Sequence, residues 1–234
     1  MTPKRLPIVT IIAVMTCLTV FVPSPAGASA YSLTGAGSTL VAPLEAYWAK
    51  DFNSRYGDSV TYSSVGSGAG IAQITARTVD FGASDAPLTP TQAAACKECI
   101  QIPWALTATG ISYNVAGLKR LYLTGPVLAD IYLGTITNWD APQIAKLNKG
   151  ETLPNLKITP VYRSDGSGDT YAFTDYLSRI SPTWKSKVGN ATSVSFPTGV
   201  GGKGNAGVTA VVQSTPGAIG YIEVSYIIDR KSVV

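Results

Sequence analysis

The chain contains no histidine. That absence removes Ser-His-Asp hydrolysis and histidine-ligated metal sites in one step. Charge is also scarce, at 14% of 234 residues, and the eighteen Lys and Arg are scattered against fourteen Asp and Glu. A formal net of +4, with only Lys119-Arg120 and Arg230-Lys231 adjacent beyond the N-terminal thirty residues, is no nucleic-acid signature. The known nucleotide loops are missing too. Residues 199–205 lack the Ser or Thr that a P-loop needs after Lys203, and no glycine cluster completes a dinucleotide fingerprint. Residues 165–176 are no EF-hand, because Thr170 and Tyr176 stand where glycine and a bidentate glutamate belong. No cofactor and no metal is expected.

What is present begins with a leader. Lys4 and Arg5 precede an apolar run over residues 6–22 that closes in Ala28-Ser29-Ala30, the pattern of a cleaved secretory signal. Pro7, Pro23 and Pro25 argue against a membrane anchor, and the residues before Cys17 are a poor lipoprotein lead-in. Export is therefore expected, to the periplasm or the outer face of the cell membrane, as a soluble product starting at Tyr31. Removal of the leader takes Lys4, Arg5 and Cys17 with it, leaving a net charge of +2 and two cysteines, Cys96 and Cys99. In an oxidising compartment Cys-Lys-Glu-Cys reads as a local disulfide pinning a loop; a redox motif is the sharper reading, without a thioredoxin-like strand before it.

From residue 31 the chain alternates β-rich runs with helical periodicity, as βα units on a mostly parallel sheet do. Ser38 or Thr39 can cap a helix through Leu44, Tyr47, Trp48 and Phe52, and residues 59–63 read as a strand. A helix over 71–77 follows, then a short buried strand at 79–82 ending near Ser84-Asp85. Extended apolar segments run from 100 to 115, where a change of domain is expected. Helices at 127–133 and 141–147, a strand at 158–163, a helix through Tyr171, Phe173 and Leu177, a helix at 206–213 and a strand at 218–222 complete the pattern. Trp48, Trp104, Trp139 and Trp184 read as core or rim aromatics.

Three clusters place hydroxyls among glycines before amphipathic runs: Gly35-Ala36-Gly37-Ser38-Thr39, Gly66-Ser67-Gly68-Ala69-Gly70 and Asp165-Gly166-Ser167-Gly168-Asp169-Thr170. A helix N-terminus offers unpaired N–H groups and partial positive charge, and glycine lets an anion approach the backbone. Each alone is an ordinary turn and cap. Together with Asp85 and Arg163, each ending a strand, they suit a tetrahedral oxyanion. Arg163 supplies a planar fork, whereas Lys203 reads as a solvated loop lysine.

The segments LTGAGSTLVAPLEAYW, VDFGASDAPLT, IYLGTITNWDAPQIAKLN, RSDGSGDTYAFTDYL and GVGGKGNAGVTAVVQSTPGAIGYIE resemble, in order, the phosphate-binding protein family of the phosphate-specific ABC importer. The resemblance implies an α/β, two-domain periplasmic-binding-protein-like clamshell of type II, with domain 1 at 31–107 and domain 2 at 108–234. It implies inorganic phosphate as ligand, ABC permease subunits as partners, and no enzymatic activity. Carried over by motif, the phosphate ligands are Thr39, the Leu40 backbone, Ser67, Asp85, Arg163, Ser167, Gly168 and Asp169. Asp169 stands where many members have Thr. The chain stops at Val234, before the stretch with which the family returns to its first domain, so the C-terminal part of the fold is expected to be missing.

Asp85 has a physical rationale of its own. Phosphate at neutral pH still carries a proton that a buried carboxylate can accept, and sulfate does not. Sites of this kind reject the wrong ligand by about four to five orders of magnitude, because unpaired buried polar groups are costly. Arg163 is expected to hold Asp85 ionised and oriented. Two alternatives stand beside this reading: a secreted phosphate-ester hydrolase using Ser38, Ser67 or Ser167 as nucleophile, and a non-binding surface protein that kept the fold.

Overall fold

The computed structural model describes residues 30–118 and 120–228. The leader expected at 1–30 lies outside the described residues but for Ala30, as do the Lys119 and Arg230-Lys231 positions.

The first sheet is built from β1 (Ser32–Gly37), β2 (Ser59–Ser64) and β3 (Phe81–Ala83), in the order β2-β1-β3 and all parallel. Between β1 and β2 runs α1 (Ala42–Tyr56), stopped by Gly57, whose φ of 76° lets its N–H return to the Asn53 carbonyl. Its start differs from the predicted cap at Ser38 or Thr39. β1 continues to Gly37, Ser38 Oγ accepts the Leu40 N–H at 3.0 Å, and the helix begins only at Ala42. Pro43 explains the shift: proline is at home in a helix's first turn and not deeper, so it fixes where α1 can open. After β2, α2 (Ser67–Thr75) opens four residues earlier than its apolar periodicity indicates, because Gly70 lets it lie directly on Gly37. A short α3 (Pro90–Ala95) follows β3, held by a capping box between Thr89 and Gln92.

The second sheet has the order β4-β7-β5-β6, from β4 (Thr109–Tyr113), β5 (Thr159–Arg163), β6 (Val200–Gly202) and β7 (Ala218–Glu223). β4 runs antiparallel to β7 and the other pairs are parallel. β7, AIGYIE, is buried throughout, as a central strand covered on both faces must be. The helices of this half are α4 (Gly125–Tyr132), α5 (Pro142–Leu147), α6 (Gly168–Ile180), α7 (Pro182–Lys187), α8 (Gly204–Ser214) and α9 (Val224–Ile228). Ser167 and Ser181 cap α6 and α7 through the N–H groups of Thr170 and Trp184.

Burial is uneven between the sheets. The main core packs Tyr132, Trp139, Phe173, Leu177, Trp184 and Tyr221 around the second sheet, with a smaller cluster of Val161, Val208, Val212, Ala218 and Ile222 under α8. Trp139 and Trp184 are fully buried, whereas Trp48 and Trp104, 44% and 41% exposed, lean on each other with centroids 5.4 Å apart. Ile100, Ile102 and Leu106 also lie exposed beside a cavity of about 1310 Å³ that borders β3. Among the described residues no helix is long and apolar enough to cross a membrane.

Candidate functional site

In open α/β sheets ligands collect beyond the carboxyl ends of the strands. Here those ends face each other. Ser38 and Thr39 follow β1, Ser67 follows β2, Asp85 follows β3, Arg163 closes β5 and Asn205 follows β6. The two halves touch through backbone: the Gly68 N–H donates to the Gly166 carbonyl at 2.9 Å. A Cβ on Gly68 would sit 3.1 Å from the Gly166 Cα, so only glycines allow this approach.

Asp85 lies at the centre. Ser38 Oγ donates to its Oδ2 at 2.6 Å and Ser67 Oγ to the same oxygen at 3.1 Å. Both hydroxyls meet the one oxygen, so neither occupies Oδ1. Ser67 Oγ in turn accepts the Gly168 N–H at 3.1 Å, tying the second cluster to the start of α6. Ser38 is fixed from behind by Tyr62, whose hydroxyl donates to the Ser38 carbonyl at 2.8 Å. Burial pushes the Asp85 carboxyl up, opposed by the Ser38 and Ser67 hydroxyls and then by the Arg163 charge.

Arg163 faces other carboxylates than the one expected. Its Nε donates to Asp165 Oδ1 at 2.8 Å, one terminal nitrogen to Asp165 Oδ2 at 2.5 Å and the other to Asp169 Oδ2 at 3.0 Å. Asp85 is thus oriented by serines, and Arg163 acts on it through charge alone. The reason is geometric: Asp165, two residues on, meets the guanidinium fork in a bidentate pair. Burial works to raise Asp165, but the Arg163 hydrogen bonds and charge and the Gly204 N–H hold it below the usual carboxylate range.

Asp169 is fully buried. Thr109 Oγ1 donates to its Oδ1 at 2.8 Å, while Asn205 Nδ2 donates to Oδ2 at 2.8 Å beside Arg163. Burial nonetheless pushes it up to about 6, against the pull of Thr109, Arg163 and Asn205, with Asp85 adding to the rise. One guanidinium therefore serves three carboxylates. An anion that brings its own proton suits such a site better than one that brings only charge.

The remaining predicted residues are in place around this centre. Thr39 Oγ1 meets Asn205, the Leu40 N–H bonds Ser38, and Ser167 caps α6. Cys96 and Cys99 are joined in a disulfide at the end of α3. Sequence reasoning missed Asn205, Asp165, Thr109 and Tyr62. The Arg-x-Asp spacing at the end of β5 was a usable sign for Asp165, whereas Asn205 looked only like the lead-in to a helix. Among the described residues no group of His, Cys, Asp and Glu is placed to hold a metal.

A family model described as a PBP superfamily domain matches residues 23–233. The chain belongs to the PBP superfamily. Its curated relatives include the phosphate-binding protein PstS of Xylella fastidiosa, 44% identical over 211 residues, which cover 89% of this chain and 58% of the relative. PstS of Pasteurella multocida is 46% identical over 199 residues, 84% of this chain and 58% of the relative. The chain thus spans somewhat over half the length of these PBP relatives. Among solved structures, one from Clostridium perfringens, assigned to phosphate ABC transport and carrying bound phosphate, superposes with a TM-score of 0.66. It is 26% identical and matches 86% of this chain and 73% of its own. An ABC-type phosphate transport receptor from Vibrio cholerae gives 0.57 at 25% identity, over 86% and 74% of the two chains. These neighbours share the α/β fold of the PBP superfamily.

Proposed function

We propose that this PBP-superfamily chain captures inorganic phosphate outside the cytoplasm and passes it, unaltered, to the permease of an ABC importer. Two lobes, residues 31–107 and 108–234, close on the anion as the working motion. The observation that carries this reading is Asp85 Oδ1, the carboxylate oxygen that neither the Ser38 nor the Ser67 hydroxyl occupies, in a site otherwise rich in N–H and O–H groups. It supplies the acceptor that a protonated oxyanion needs and that sulfate cannot use. The names of the PstS relatives and the phosphate in the Clostridium perfringens neighbour support the same ligand.

Within that site Thr39 and Ser167 bear on the phosphate oxygens, the Leu40 and Gly168 N–H groups exchange their bonds to Ser38 Oγ and Ser67 Oγ for the anion, and Arg163 supplies the fixed charge. Ser67 serves mainly to aim Asp85, while Asp169 balances Arg163 from inside. Isothermal titration of the wild-type chain tests the assignment. Phosphate should bind saturably, one per chain, without turnover of a chromogenic phosphate ester. Ester turnover, or no heat with phosphate, contradicts it.

A further inference from the structure

Asn205 stands in the first turn of α8 and is fully buried. Its backbone N–H and its Nδ2 both donate to Thr39 Oγ1, at 3.3 and 3.0 Å. A threonine hydroxyl has two acceptor lone pairs and one proton. With both lone pairs taken by one residue, the Thr39 hydroxyl can take part in a further bond only by giving its proton away.

The orientation of the Asn205 carboxamide is itself determined. Its Oδ1 accepts the Glu223 N–H at 2.9 Å, and its Nδ2 also faces Asp169 Oδ2 at 2.8 Å. A flipped amide would set oxygen against the Asp169 carboxylate and NH₂ against the Glu223 N–H. Both contacts would be repulsive.

We propose that Asn205 is a positioning residue that makes Thr39 a donor-only hydroxyl, so that this corner of the site accepts only an unprotonated ligand oxygen. Asp85 and Thr39 then read opposite ends of one ligand. Asp85 takes the proton of the anion, and Thr39 gives a proton to an oxygen that lacks one. The pair selects a tetrahedral oxyanion that carries both a protonated and a bare oxygen, and fixes its orientation. This rests on the phosphate reading above and adds a specificity device to it.

A double-mutant cycle over Asn205→Ala and Thr39→Val, read by phosphate titration, tests the coupling. Thr39→Val should weaken binding about tenfold or more, within the range for a lost hydrogen bond to a charged group. Asn205→Ala should do much the same, because it keeps only the longer backbone donor and frees one lone pair, so that the hydroxyl is free to point its proton elsewhere. The double variant should bind about as weakly as Thr39→Val alone. Losses that multiply would overturn the proposal, as would an Asn205→Ala that binds like wild type. Should Asn205→Ala not fold, Thr39→Ser and Thr39→Val decide: the serine should keep affinity and the valine lose it, and equal affinities overturn the donor role. A wild-type chain that binds no phosphate overturns the phosphate reading and this proposal together, whereas binding with multiplying losses overturns this proposal alone.

Discussion

Asp169 has to reconcile three donors with complete burial, and burial prevails. Its folded pKa of about 6 lies above the ordinary carboxylate value of 3.8. Between those values the folded chain holds a proton that the unfolded chain has released. The stability tied to that proton is present below the window and is lost as the pH rises through about 6. Asp85, raised by burial, contributes with the same sign. Asp165 is held low, stays ionised in both states above about pH 5, and adds no slope there. The ligand-free protein should therefore melt higher at about pH 5 than at about pH 7, by about 1 kcal/mol or roughly 2–4 °C. Scanning fluorimetry across that range checks it, and Asp169→Asn should flatten the slope. A melting point that falls steadily on acidification over this window contradicts the assignment.

At the scale of elements, the start of α6 carries the most consequence. A Cβ added at Gly168 would lie 2.3 Å from the Asp85 Cβ, inside any tolerable contact. Gly168→Ala should push Asp85 off its serines. An overpacking cost of about 1–3 kcal/mol, placed at the ligand, corresponds to roughly a ten- to hundredfold loss of phosphate affinity. The helix itself should gain slightly from alanine, so a melting curve near wild type beside a weakened titration is the expected pair of results. Undiminished affinity would show that Asp85 does not need its present place. This element was legible in the sequence, because Ser167, Asp169 and the apolar stripe through Phe173 and Leu177 are all local signals. The Thr89–Gln92 box before α3 and the Ser181-Pro182 start of α7 are local signals too, although neither helix was among the elements expected from the sequence. β1 was harder to see: Gly35 and Gly37 have little strand propensity, and neighbours on both sides make the strand. Asn205 was beyond reach, since its partner Thr39 lies 166 residues away and nothing in Gly-Lys-Gly-Asn announces that pairing.

Over the whole molecule, the placement of chemistry at strand ends was legible, and the division of charge among its carboxylates was not. Strand, glycine turn and helix recur in both halves, so Ser67, Asp85 and Arg163 could be placed at strand ends from order alone, with Ser38 in a helix-start cluster. Which acid Arg163 would choose depended on side-chain reach, and the nearer Asp165 took its fork while two serines took Asp85. The two halves also differ in kind. The second sheet buries Trp139, Trp184 and Tyr221, while the first leaves Trp48 and Trp104 half-covered, Trp104 at the wall of a large cavity. What joins the halves is the polar seam at their strand ends, so ligand chemistry and the meeting of the halves are one problem in this fold. The most direct test is a parallel calorimetric titration of wild type and Asp85→Asn with phosphate and with sulfate. The account predicts a phosphate preference of about three orders of magnitude or more in wild type, collapsing by at least about a hundredfold in the amide variant, whose oxygen is held by the Ser38 and Ser67 hydroxyls so that its NH₂ faces the ligand as a donor. An unchanged preference in Asp85→Asn would contradict it.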